Sequence, residues 1–257
     1  CREIILVKFV SGNAAMFDSK YFFRFSLISM VVLFTGCATT QYNDERDPFE
    51  SYNRAMYKFN DTVDRAVLKP VAKGYDTVVP DAISWGVSNF FSNLNDITVA
   101  INSLLQGKFS QAADDTGRFL LNSTVGVAGI FDVAGHAGNK KRNEDFGQTL
   151  GVWGAEPGAY IVLPFFGPRT VRDSFGLVGD MFTDPVMYVE GPGARNALVG
   201  TRVVDTRANL LKTQRVLSEA TDDEYAYVRN AYLQRRQYLV YDGNPPNDDD
   251  FDLFDDE

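Results

Sequence analysis

The chain has 257 residues, with 25 lysines and arginines against 34 acids, a formal charge of −9, one histidine and two cysteines. An acidic balance of this size argues against nucleic acid and against polybasic attachment to anionic lipid. The thiols are Cys1 and Cys37, and Cys1 falls in a segment read below as discarded, so a structural disulfide and a thiolate zinc site are both excluded from the mature protein.

Lys20 and Arg24 precede an apolar run, Phe25 to Phe34, too short to span a bilayer, which needs about 20 residues. Leu33-Phe34-Thr35-Gly36-Cys37 follows, and the arrangement resembles a bacterial lipoprotein signal, cut before a cysteine that is then acylated. Phe34 stands where that pattern prefers Leu. Residues 1–36 are therefore read as an upstream segment and signal peptide, with the part before Met16 ahead of the initiator. Residues 37–46 are read as a lipidated tether, 47–241 as one domain, and 242–257 as an acidic disordered tail.

In the domain, Asp47-Pro48-Phe49-Glu50 combines a cap acid, a first-turn proline and a glutamate three residues on, which predicts a helix start at Asp47. Phe49, Tyr52, Met56, Phe59, Val63 and Val67 share one face until Pro70 closes the pattern. Pro80 opens a longer amphipathic helix carrying Ile83, Val87, Phe90, Phe91, Leu94, Ile97, Ile101, Leu104 and Leu105, with Gly107 as its stop. Ser110 opens a third, through Leu121. From Gly147 to Pro168 glycines and prolines alternate with aromatics, which predicts an ordered apolar loop with at most a short hairpin around Ala159 to Leu163. Thr170 to Val178 reads as a brief helix, Gly191-Pro192-Gly193 as a turn and Leu198 to Leu217 as a helix. Thr221-Asp222-Asp223-Glu224 reads as a capping box that opens a last helix to about Leu239. The fold class is mainly α, a single helical domain with irregular Gly/Pro-rich loops.

A Walker A loop, a dinucleotide fingerprint, an HExxH helix and a GxSxG elbow are all absent from the sequence. His136, in a glycine-rich stretch, is read as solvent-facing or hydrogen-bonded. Asp114-Asp115 and Asp222-Asp223 are read as capping or surface groups. Tyr225, Tyr227, Tyr232, Tyr238 and Tyr241, with Arg229, Arg235 and Arg236, suit either a membrane interface or core packing with snorkelling arginines. No catalytic residue, metal site or cofactor is assigned.

Several segments together carry a family resemblance. They include Asp47-Pro48-Phe49-Glu50-Ser51-Tyr52-Asn53-Arg54, Asn102-Ser103-Leu104-Leu105-Gln106-Gly107, and Arg118-Phe119-Leu120-Leu121-Asn122-Ser123-Thr124. Asp145-Phe146-Gly147-Gln148-Thr149-Leu150-Gly151, Leu163-Pro164-Phe165-Phe166-Gly167-Pro168-Arg169 and Arg229-Asn230-Ala231-Tyr232 continue it. From Asp47 to Tyr241 the chain resembles the VacJ/MlaA outer-membrane lipoproteins. The resemblance implies a ring-shaped helical domain in the periplasmic leaflet of the outer membrane with a central amphipathic channel. It implies that phospholipids misplaced in the outer leaflet pass to a soluble periplasmic carrier, and from there to an inner-membrane ABC complex, in association with trimeric porins. Cys37 would carry a diacylglycerol and an N-acyl chain, and Ala38 after it fits outer-membrane sorting in enteric bacteria.

Phe146 to Asp173 is the candidate channel-lining or gating region, with Phe146, Trp153, Gly154, Gly158, Tyr160, Phe165, Arg169 and Asp173 as its named positions; packing between helices is the competing explanation. Phe59 and Asn60 on the first helix join them, with Tyr52, Met56, Phe59 and Val63 expected on a face buried or turned to acyl chains, and Asn53, Arg54 and Asn60 on its more polar sides, where they can fix neighbouring loops through hydrogen bonds. A lipid-degrading enzyme and a structural or surface-spreading lipoprotein without transport are the alternatives.

Overall fold

A computed structural model describes residues 44–211 and 223–246. The signal peptide, Cys37, most of the tether, the last six residues of the helix expected to reach Leu217, Thr221, Asp222 and the acidic tail from Asn247 lie outside the described residues. The described chain is mainly helical with one two-stranded sheet.

Helix α1 is Glu50–Val63, one residue after a Phe49 cap that makes no side-chain bond. The expected cap, Asp47, is instead fully buried, because its carboxylate is bound by Asn53, Tyr225 and Arg229. Pro70 does not end the helix. A π turn, Asp64–Leu68, leads directly into α2, Lys69–Val78, and the Lys69 N–H reaches back to the Asp64 carbonyl. The wider turn accommodates a ring that would collide with the preceding turn of an α-helix.

Helices α3, Asp81–Leu105, and α4, Phe109–Thr124, form an antiparallel hairpin closed at Gly107, whose φ of +76° needs a glycine. The buried side of α3 is polar: Asn93, Asp96, Thr98, Asn102 and Ser103 are buried along with Phe91 and Val99, while Ile83, Leu104 and Leu105 face out. Arg118 from α4 lies in this seam with Nε 3.2 Å from Asp96, and its Nη2 donates to Asp132 at 2.7 Å. Lys141 closes on the other Asp96 oxygen. Asp115, expected at the surface, is buried against Ser103 and Arg142 because it falls on this inner face. A short helix, α5, Val133–His136, follows; His136 is exposed, with Nδ1 2.7 Å from the Asp132 carbonyl oxygen.

The glycine-rich segment contains a helix where a loop was expected. In α6, Phe146–Val152, Asp145 caps the start by accepting the Gln148 N–H at 2.8 Å. Gly147 serves close packing: a Cβ there would lie 2.6 Å from an Asp173 oxygen. Strands β1, Tyr160–Leu163, and β2, Gly167–Thr170, pair antiparallel with Tyr160 opposite Thr170 and Leu163 opposite Gly167, so the hairpin runs further than expected. Thr170 caps α7, Val171–Thr183, which continues five residues past Val178. After a 3₁₀ turn, Pro185–Tyr188, α8 spans Pro192–Asn209, opening at Pro192 rather than Leu198 because Gly191 and the proline form its entry. Helix α9, Glu224–Val240, is capped by Asp223, whose carboxylate accepts the Ala226 N–H. The apolar cluster lies where α1, β1 and α9 meet, with Tyr160, Val162 and Tyr225 surrounded by Met56, Tyr57, Tyr232 and Leu233.

Candidate functional site

A strand with no neighbour on one side leaves backbone donors and acceptors unpaired, and here side-chain amides of α1 supply the partners. Asn53 donates from Nδ2 to the Tyr160 carbonyl (3.0 Å) and to Asp47 (2.7 Å), and its Oδ1 accepts the Val162 N–H (2.8 Å). Two helical turns on, Asn60 donates to the Leu163 carbonyl (3.0 Å) and accepts the Phe165 N–H (2.7 Å). The Arg46 carbonyl accepts the Tyr160 N–H at 2.8 Å. The hairpin is thus fixed to α1 at two points.

Helix α9 holds the other side through charge. Arg229 donates to Asp47 at 3.1 Å and pairs with Asp44 at 3.0 Å, and Tyr225 donates to Asp47. About one and two turns on from Arg229, Tyr232 and Arg236 reach Asp173 at 2.7 and 2.9 Å, and Arg236 also forks onto Asp145. Burial pushes the Asp145 and Asp173 carboxyls up, but Arg236 outweighs it and both lie below the usual carboxylate range. Burial raises the Tyr160, Tyr225 and Tyr232 phenols, keeping them protonated. Tyr225, Tyr232, Arg229 and Arg236 therefore belong to the interior, while Tyr227, Tyr238 and Tyr241 are exposed.

Between α6, α9 and the loop from Gly154 to Gly158 lies a cavity of about 700 Å³ whose walls include Gly151, Pro157, Arg172, Leu233 and Val240. Gly154 and Gly158 also line it, at φ values of +91° and +64°. The other sequence candidates lie elsewhere. Phe59 and Phe165 stack edge to face at 5.3 Å, Phe59 39% exposed and Phe165 73%. Phe146 and Trp153 do the same at 6.0 Å, while the Trp153 indole N–H donates to the Leu105 carbonyl. Tyr160 and Asp173 are buried, and Arg169 is half-buried on β2. The candidates thus divide between an outward aromatic surface, a cavity wall and a polar interior.

Burial is inverted relative to a water-soluble domain. Among the described residues about twice as many polar as apolar side chains are buried, while Phe49, Trp85, Phe109, Phe131, Phe166, Phe175 and Phe182 are exposed. Two outward grooves extend this apolar surface. One, of about 550 Å³, is formed by Ile101, Leu104, Phe109 and Leu120 on α3 and α4; the other, of about 470 Å³, by Ile83, Phe90, Ile130 and Leu198 between α3 and α8. Among the described residues no helix is long and apolar enough to cross a membrane.

Residues 45–239 match the family model described as MlaA lipoprotein. The chain belongs to the MlaA lipoprotein family. It is 37% identical over 227 residues to the intermembrane phospholipid transport system lipoprotein MlaA of Haemophilus influenzae, covering 85% of this chain and 90% of that protein. The Escherichia coli K12 member is 36% identical over 229 residues, covering 86% and 90%. A solved chain from work on the structural basis for maintenance of bacterial outer membrane lipid asymmetry superposes with a TM-score of 0.67 at 34% identity, over 76% of this chain and 98% of that one. Asp47, Asn53, Arg118, Arg229 and Arg236 organise the domain in this chain; Asn53, expected on the polar side of the first helix with hydrogen bonds to neighbouring loops, is found so, while Arg118 carries no role in a reading of apolar periodicity. The signal available was polar spacing, with Asn53 and Asn60 seven apart and Arg229, Tyr232 and Arg236 at steps of three and four.

Proposed function

We propose that this chain is an outer-membrane lipoprotein of intermembrane phospholipid transport, taking phospholipids misplaced in the outer leaflet and releasing them to a soluble periplasmic carrier. The observation that carries the reading is the inverted burial: an apolar, aromatic exterior suits acyl chains, and a polar interior suits a head group that must leave the aqueous face. Family membership and the transport system named for its Haemophilus and Escherichia members support it. The mechanism is passive movement of intact lipid, with trimeric porins as membrane partners and an inner-membrane ABC complex downstream of the carrier. Cys37, acylated, anchors the chain in the periplasmic leaflet. Two or three chains exceed what one myristoyl group achieves, a binding constant of about 10⁴ M⁻¹. The nine residues from Ala38 to Arg46 span at most roughly 30 Å, which keeps α1 near the leaflet.

Isotope-labelled phospholipid transfer from membranes holding the purified protein to the soluble carrier tests the reading, with the lipid analysed for cleavage. Intact labelled lipid on the carrier is the expected result; fatty acid or lysolipid, or no transfer above protein-free membranes, overturns it. Mass spectrometry of the mature N-terminus tests the anchor separately, an unmodified Cys37 being the contrary outcome.

A further inference from the structure

Three helices meet at one carboxylate. Asp180 of α7 accepts the Phe146 N–H that opens α6 at 2.9 Å and the Asn102 amide of α3 at 3.3 Å, both on Oδ1. Asn102 in turn accepts the Thr149 hydroxyl of α6 at 2.8 Å. The contact of α6 with α7 is backbone against backbone: a Cβ on Gly176 would lie 2.4 Å from the Gly147 nitrogen, and one on Gly179 would lie 2.3 Å from the Phe146 ring. With no slack there, the start of α6 is held by Asp180, and α6 carries Gly151 and leads into the Gly154–Gly158 wall of the 700 Å³ cavity.

We infer that Asp180 is a proton-responsive positioning residue whose charge state sets how firmly α6, and with it the cavity wall, is held against α3 and α7. Asp180 acts on the geometry of that wall, whatever passes along it. The groups facing Asp180 decide the sign. From the start of α6 comes Asp145, which repels it; from α9 comes Arg236, already engaged by Asp145 and Asp173; α3 contributes the neutral Asn102, and Thr98 by way of Thr183. Burial, the largest influence, and Asp145 outweigh the Phe146 and Asn102 hydrogen bonds and Arg236, so the carboxyl is pushed up from 3.8 to about 6. The closed joint therefore binds the proton more tightly than an open, hydrated one. Its extra stability is fully present below the ordinary carboxylate value and is lost as pH rises through about 6. Across that window the ratio of open to closed changes by up to roughly 100-fold.

Amide hydrogen exchange on the full chain in detergent micelles reads this directly, in a His136→Gln background that removes the chain's one imidazole. After correction for intrinsic exchange, protection of the α6 amides is expected to fall roughly 25-fold from pH 4.5 to pH 7 and to flatten above about pH 6. Asp180→Asn should remove the dependence. Asn102→Ala, which deletes a donor to the carboxylate, should move the plateau to higher pH. Trp153 emission in a Trp85→Phe chain should report the same transition. A flat wild-type profile, or an equal pH dependence in Asp180→Asn, overturns the inference. If Asp180→Asn does not fold, an unmoved plateau in Asn102→Ala overturns it.

Discussion

The junction of α1 with the hairpin differs from the α3–α4 seam in how each keeps polar groups out of water. At the junction Asn53 and Asn60 bond to backbone, and the aromatic cluster of Tyr160, Tyr225 and Tyr232 packs around them. In the seam Asp96, Arg118, Lys141 and Asp132 are held together by charge, the Arg118 Nε standing 3.2 Å from an Asp96 oxygen without an aligned hydrogen bond. Backbone partners cannot be lost by substitution, so each amide fixes a register, whereas an ion cluster depends on every member. The seam should therefore fail all at once and the junction by degrees.

The largest test is Arg118→Met, which removes the cation shared by Asp96 and Asp132, leaves Lys141 alone on the buried Asp96 and should cost about 3–5 kcal/mol, read as a drop in Tm of purified protein. Pairing it with Asp96→Leu should recover part of the loss, because Lys141 is partly exposed and can turn to water; no recovery would break the contrast. Asn53→Ala leaves the Tyr160 carbonyl and Val162 N–H buried and unpaired, a loss of about 1–3 kcal/mol by chemical denaturation. Asn60→Ala, at the half-exposed end of the clamp, should cost about 1 kcal/mol, and an equal cost at both positions would mean that burial does not decide it.

Acid sharpens the comparison from another side. Asp145 and Asp173 have depressed folded pKa values, so their hold on Arg236 is present above the ordinary carboxylate range and lost as pH falls through those depressed values. Exchange protection in α9 should consequently collapse below about pH 4, and Asn53→Ala should leave that profile unchanged while Arg236→Met removes it. The smallest effect is expected at Phe59→Ala. A buried phenylalanine would cost about 3–5 kcal/mol, but Phe59 is 39% exposed and its main structural contact is the Phe165 ring. A loss of about 1 kcal/mol in thermal stability is expected.

Helix α3 shows what the sequence could and could not disclose. The apolar series from Ile83 to Leu105 located the helix to within a residue or two, since periodicity depends only on the backbone repeat. It left open which face lies inside, and in the structure Asn93, Asp96, Asn102 and Ser103 are buried while Ile83, Leu104 and Leu105 are exposed. Arg236 was legible only as one of the arginines beside the C-terminal tyrosines, because its partners Asp145 and Asp173 come from distant segments. The Gly/Pro-rich stretch was legible as ordered and aromatic. The helix inside it was not, because Gly147 is there to let two backbones meet, and that requirement exists only once α7 is in place.

The π turn at Asp64–Leu68 also sets phase. At about 100° per residue, the twelve residues from Asn60 to Ala72 would place Ala72 about 120° around an unbroken α-helix. The wide turn takes up one extra residue without advancing the helix, and the separation shrinks to about 20°. The side of the rod that clamps the hairpin is thereby the side on which Ala72 is fully buried and Tyr75 reaches Asp205 of α8. One inserted residue keeps a single inward edge along two helices that would otherwise spiral away from each other.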